Sequence, residues 1–189
     1  MSKVAKYGKF IHLEKLLQGT FRAAVASIYK DSKLTLAQQD DENRKSSLMP
    51  PTTRIGIPTP AGMYYADPIG RVTRTTEIRR DYYMTAFTLC ADAVEPKFAT
   101  EFAADARLLI HDPAAFGKRV CDAAKAKRPT WTAFFAPVHY FDPEKRHPDY
   151  LPSDPPDMQD TLPWRLKEDS YAWQREWRFI WLRSRSMAS

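Results

Sequence analysis

The sharpest hydrophobic pattern in the chain lies near its C-terminal end. The run Tyr171-Ala-Trp-Gln-Arg-Glu-Trp-Arg-Phe-Ile-Trp-Leu182 predicts a strand in which Trp177, Phe179 and Trp181 alternate with Gln174, Glu176 and Arg178 or apolar neighbours. Successive strand side chains point to opposite faces, so the odd-numbered aromatics anchor a core. Glu176 and Arg178 then look the other way, beside Ile180 and Leu182.

Upstream, the pattern predicts a short strand over 6–12 and a helical turn over 13–17 closed by Gly19. A second strand spans 20–26 and runs into 27–32, and Leu34, Leu36 and Ala37 with the polar run Gln38 to Arg44 read as an amphipathic helix. Five prolines between Ser46 and Gly70 leave loop or hairpin there, with at most a short strand at 55–57. The β-branched residues of 71–78 and the aromatics of 81–90 predict two better strands.

Pro96 sits in the first turn of a helix reaching Ala103, and Ala106 to Ile110 form a short strand. Asp112 caps a helix opening at Pro113, whose Phe116, Val120, Ala123 and Ala124 recur at helical spacing through to Lys127. A strand over 131–141 follows, and the Pro-rich stretch 142–167 predicts a long loop. Hairpin-like strands, separated helices and no βαβ alternation or repeat predict an α+β fold: antiparallel sheets, as in a split β-sandwich, flanked by helices.

A length of 189 residues suits one domain, and 43% hydrophobic content supports a folded core. No stretch approaches the roughly 18 apolar residues of a membrane span, and the opening residues lack the apolar core of a signal peptide, so a cytoplasmic protein without membrane attachment is expected. The two cysteines, Cys90 and Cys121, have neither disulfide-framework nor thiolate-metal spacing.

The net charge of +6 draws polyanions or anionic small molecules by long-range field. The cations concentrate at Arg71, Arg74, Arg79 and Arg80, at Lys118, Arg119, Lys125, Lys127 and Arg128, and at Arg183 and Arg185. Phosphate-cradling glycine motifs are absent, the four histidines have no i, i+4 pair, and no Gly-x-Ser-x-Gly or zinc-deaminase signature occurs. No metal is expected.

The unit that remains, Gln174-Arg-Glu176, follows a long loop and opens a late strand. In this it resembles the catalytic signature of the ADP-ribosyltransferases. The resemblance implies NAD as substrate, with Glu176 hydrogen-bonding the nicotinamide ribose and stabilising an oxocarbenium-like transition state. Gln174 would orient the acceptor, and Arg22 or Arg178 would clamp an anion. It further implies an early-strand Arg or His against NAD and aromatics stacked on nicotinamide, for which Arg22, His12, Tyr29 and Tyr83 are candidates. The superfamily's Ser-Thr-Ser signature is missing, with Thr73, Thr75 and Thr76 as loose stand-ins.

The chain also resembles an uncharacterised family of prokaryotic and phage proteins, through Lys9-Phe10, Tyr29-Lys30-Asp31 and the stretch from Tyr171 to Arg178. Lys30, Ser32 and Gln174 depart from that family's Asn, Pro and Glu. This likeness implies shared site positions at Asp31, Asp41, Glu176 and Arg178. The expectation is ADP-ribosyl transfer or NAD glycohydrolysis toward a nucleic-acid or protein acceptor, in a phage–host setting. The alternative is a non-enzymatic basic module for nucleic acid or an acidic protein, suggested by Arg71, Arg74, Arg79 and Arg80 near Tyr82 and Tyr83. The local reading of Arg178 is a salt bridge to Asp31 or Asp41.

Overall fold

A computed structural model describes residues 3–31, 33–34, 42–50, 52–78, 82–90, 95–145 and 161–183. Five strands, β1 (Val4–Gly8), β7 (Tyr83–Leu89), β8 (Ala106–Ile110), β9 (Trp131–Pro137) and β12 (Glu176–Arg183), join antiparallel in the order β8-β1-β7-β12-β9. The two-residue β2 (Ala24–Val25) completes this sheet by pairing with β7. Helices α1 (Phe10–Leu17), α2 (Glu95–Glu101) and α3 (Pro113–Lys127) accompany it. The fold is α+β.

Alternation in β12 divides the core as its pattern requires. Trp177, Phe179 and Trp181 join Val4, Phe87 and the apolar stripe of α3, including Phe116, Val120 and Ala124. Ile180 packs on the other face with Ala26, Tyr82, Met84, Phe134 and Ala136. Helix α3 follows its local signals: the Asp112 carboxylate accepts the Ala115 amide at 2.9 Å, with Pro113 in the first turn.

The described residues also form three smaller ladders. Antiparallel β3 (Arg44–Leu48) and β6 (Thr73–Glu77) pair, as do β4 (Ile55–Thr59) and β5 (Gly62–Ala66), which make the expected hairpin. The ladder of β10 (His139–Phe141) and β11 (Leu166–Glu168) is parallel.

Several boundaries differ from the sequence pattern. Residue 10 begins a helix instead of extending the first strand, because the Phe10 amide donates to Asp105 Oδ1 at 2.6 Å. That capping carboxylate lies 95 residues away and leaves no local signal. The strand expected over 20–26 contracts to Ala24–Val25 and passes into a 3-10 turn over Ala26–Lys30. Arg44, placed at a helix end by its sequence, opens β3 and pairs with Glu77; residues 35–41 of that expected helix lie outside the described part. The strand over 131–141 divides at Val138, whose amide donates to the Glu176 carbonyl at 2.9 Å. At the end of the long loop, a 3-10 turn over Leu162–Arg165 leads into β11, while residues 146–160 are not described.

The most consequential difference concerns Gln174. Residues Asp169–Gln174 form a 3-10 turn, Arg175 adopts a left-handed conformation with φ 44°, and β12 starts only at Glu176. The turn is anchored by Trp173, whose ring lies 5.3 Å from that of Phe98 on α2, with Lys97 Nζ 3.9 Å from its centroid. A non-glycine residue in the left-handed region carries a local conformational cost, tolerated when surrounding packing enforces it.

Candidate active site

Glu176 opens β12 with its backbone amide bonded to Tyr140 Oη at 2.8 Å. Its carboxylate is buried and accepts two charged donors: Arg178 Nε reaches Oε1 at 2.6 Å, and Lys167 Nζ reaches Oε2 at 2.9 Å. Residues i and i+2 of a strand share a face, so Glu176 and Arg178 meet by local geometry. Lys167 comes from β11, where the parallel pairing with Tyr140 sets it beside the start of β12.

Arg178 is 0% exposed, and its guanidinium is committed on all sides. Nη1 donates to Glu42 Oε2 and Nη2 to Glu42 Oε1, both at 2.7 Å, and Nη1 also reaches the Trp164 carbonyl at 3.2 Å. Such a bidentate fork matches the planar geometry of arginine and carboxylate. Glu42 also lies 3.7 Å from Lys45 Nζ and 3.9 Å from Lys167 Nζ. Lys167 donates in addition to Gln174 Oε1 at 2.9 Å and sits 4.7 Å from the Tyr171 ring centroid.

Gln174 and Glu176 therefore converge on one ammonium, though not as two residues of one strand. The left-handed Arg175 turns the chain between them, and Lys167 gathers both side chains.

A partly open cavity of about 130 Å³ adjoins this network, lined among others by Lys6, Tyr29, Glu42, Lys167, Gln174 and Glu176. An apolar cavity of roughly 150 Å³ is known to hold a benzene ring, so this space is of single-ring size. Burial acts to raise the Glu176 pKa, but Arg178 and Lys167 outweigh it and hold the carboxyl at about 2. The group is an ionised acceptor at neutral pH, and among the described residues each oxygen accepts from one donor, which leaves lone pairs for a ligand. Arg178, opposed by burial, is held well above its ordinary range by Glu176 and Glu42. Burial and then Glu176 push the Tyr29 hydroxyl up to about 12, and the same two causes raise Tyr140, so both stay protonated at neutral pH.

Of the residues singled out in the sequence, Gln174, Glu176, Arg178 and Tyr29 come together here. The others do not. Arg22 is exposed and does not line the cavity; its neighbour Phe21 packs on Phe87, Phe116 and Phe179. Tyr83 lies on the opposite sheet face, its ring 5.9 Å from that of Trp181 and 6.0 Å from that of Trp131. Asp31 is exposed and accepts the Lys33 amide at 2.9 Å, a local turn contact. His12 is exposed on α1. Thr75 bonds Ser46 across the β3–β6 ladder, and Thr73 and Thr76 belong to the same ladder. Asp41 lies outside the described residues, and the carboxylate that pairs with Arg178 is its neighbour Glu42. Arg22 therefore does not line this cavity, and Arg178 is buried with four of its five N–H groups spent on Glu176, Glu42 and the Trp164 carbonyl.

Sequence reasoning missed Glu42, Lys167, Tyr140 and Lys6. Glu42 was hidden in the acidic run Asp40-Asp41-Glu42, which reads as solvated, and Lys167 closed a loop that reads as irregular. Lys6 did carry a signal, a lone cation between Ala5 and Tyr7 in an apolar strand.

The basic clusters are partly neutralised. Arg71 pairs with Glu144, and Lys118 with Asp122 at 2.6 Å; Arg79, Arg80 and Arg185 lie outside the described residues. Among the described residues no group of His, Cys, Asp and Glu converges to hold a metal, and no helix is long and apolar enough to cross a membrane. Comparison with protein-family models, with curated proteins and with solved structures finds no match to this chain.

Proposed function

We propose that the protein is an NAD-consuming enzyme of the ADP-ribosyltransferase type, which breaks the nicotinamide–ribose bond at the Glu176 cavity and passes ADP-ribose to water or to a nucleic-acid or protein acceptor. The observation that carries this reading is a buried, permanently ionised carboxylate on a cavity of single-ring size. Cleavage of an N-glycosidic bond builds positive charge on the ribose, and preorganised acceptors and dipoles aimed at that charge lower the barrier.

Lys167 and Arg178 compensate much of the Glu176 charge. Its contribution is then directional: an oriented oxygen that accepts a ribose hydroxyl and strengthens that bond as the ring becomes cationic. Tyr29, protonated, is a donor on the same cavity. Gln174, with its carbonyl oxygen fixed by Lys167, orients the acceptor. Among the lining residues, Lys167 is the cation that would face a bound anionic group.

Incubation with NAD and chromatographic measurement of nicotinamide tests the reading. The expected result is release that falls at least about a hundredfold in Glu176→Gln, with labelled ADP-ribose then sought on protein, DNA and RNA. No release above the buffer rate, or release indifferent to Glu176→Gln, overturns it.

A further inference from the structure

On one edge of β7 the sheet is interrupted. β1 pairs there with Thr88 and Leu89, and β2 with Tyr83 and Met84. Among the described residues no strand pairs with Thr85, Ala86 or Phe87 on that edge, and the Lys6 side chain reaches into the gap. Its Nζ donates to Thr85 Oγ1 at 2.9 Å and to the Ala86 carbonyl at 2.6 Å.

Lys6 differs from the other two lysines of the network. Lys45 and Lys167 lie against carboxylates, whereas Lys6 forms no ion pair among the described residues. Its contacts are a hydroxyl, a carbonyl and the ring of Phe87, whose centroid is 5.4 Å away. An ammonium has three N–H donors, and a neutral amine has two and a lone pair. Those two acceptors leave one tetrahedral direction of Nζ without a hydrogen bond among the described residues, and Lys6 is one of the residues that line the cavity.

We propose that Lys6 is a carbonyl-reactive amine, and that the cavity admits a small aldehyde or ketone which condenses with its Nζ. The lone pair adds to the carbonyl carbon to give a carbinolamine. The carbonyl oxygen then leaves as water with the two amine hydrogens, and a carbon–nitrogen double bond remains. Protonated, that imine keeps one N–H for Thr85 or Ala86. Burial, opposed by Glu176, brings the Lys6 pKa down to about 8, which at pH 8 gives a neutral fraction on the order of a hundredfold above that of an ordinary lysine. None of this requires the nicotinamide chemistry.

Glyoxylate, an aldehyde small enough for the cavity, is the probe. The full-length protein is treated with glyoxylate and cyanoborohydride, and each modified lysine is quantified by peptide mass spectrometry against the exposed Lys125 and Lys127. Lys6 is expected to be reduced to its adduct at least about tenfold faster than either, with a rate that rises through pH 8. Labelling of Lys6 no faster than of Lys125 and Lys127, or a rate still climbing above pH 10, overturns the proposal. The comparison is made within one wild-type protein, so it does not depend on a Lys6 variant folding.

Discussion

Glu42 and Arg178 lie 136 residues apart in the chain and meet through two parallel 2.7 Å hydrogen bonds in the buried interior. The pair ties the segment before β3 to β12 and, through Arg178 Nε, holds Glu176. Removing one partner of a buried pair leaves the other charge desolvated, at a cost of about 3–5 kcal/mol. Arg178→Met is expected to lose that much stability in urea unfolding at pH 7. Glu42→Gln combined with it should lose less than the sum of the single changes, because the second substitution removes a charge already stranded. Loss below about 1 kcal/mol for Arg178→Met would show that the pair is solvated.

Stability should fall steeply in acid on account of Glu176. Its carboxyl is held at about 2 in the folded protein against an ordinary 4.5, so the stabilisation is complete above pH 4.5 and vanishes as pH drops toward 2. The amount is on the order of 3 kcal/mol. Glu176→Gln is expected to remove this acid limb, and Lys167→Met, which deletes one of the two cations, to shift it to higher pH. Unfolding followed by tryptophan fluorescence across pH 2 to 6 reads both; an unchanged limb in Glu176→Gln would assign it to other carboxylates.

Gly117 lets α3 settle on the sheet. A Cβ at this position would lie 2.5 Å from Phe135 Cδ1 and 2.9 Å from its Cβ and Cγ. Alanine gains about 1 kcal/mol in helix propensity, but overpacking of a tight contact costs about 1–3 kcal/mol. Gly117→Ala is therefore expected to lower the melting temperature, and Phe135→Leu added to it to restore part of the loss. A higher melting temperature in the single variant would mean that the helix shifts freely.

Features governed by local backbone geometry were legible in the sequence. The Asp112 cap, the Pro113 start and the 3.6-residue stripe of α3 are all within one helix, and each appears where its pattern places it. The strand Ala106–Ile110, the hairpin after Pro50 and the two-faced burial of β12 follow likewise from periodicity and turn residues. Glu176 and Arg178 were legible as a pair because spacing i, i+2 on a strand makes them neighbours without any tertiary information.

Tertiary structure alone decided what those charges meet. Glu42 in place of Asp31 or Asp41 and Lys6 in a gap between β1 and β2 are brought in across tens of residues. Lys167 and Gln174 are near Glu176 in the chain, but the β10–β11 ladder and the 3-10 turn before the left-handed Arg175 decide that they meet there. Arg22 and Tyr83, chosen by residue type, went to the surface and to the opposite face. Hydrophobic periodicity is set by each element's own repeat, and the chain carries it openly. The partner of a buried charge is set by which groups share one low-dielectric volume, and that volume exists only once the strands have assembled.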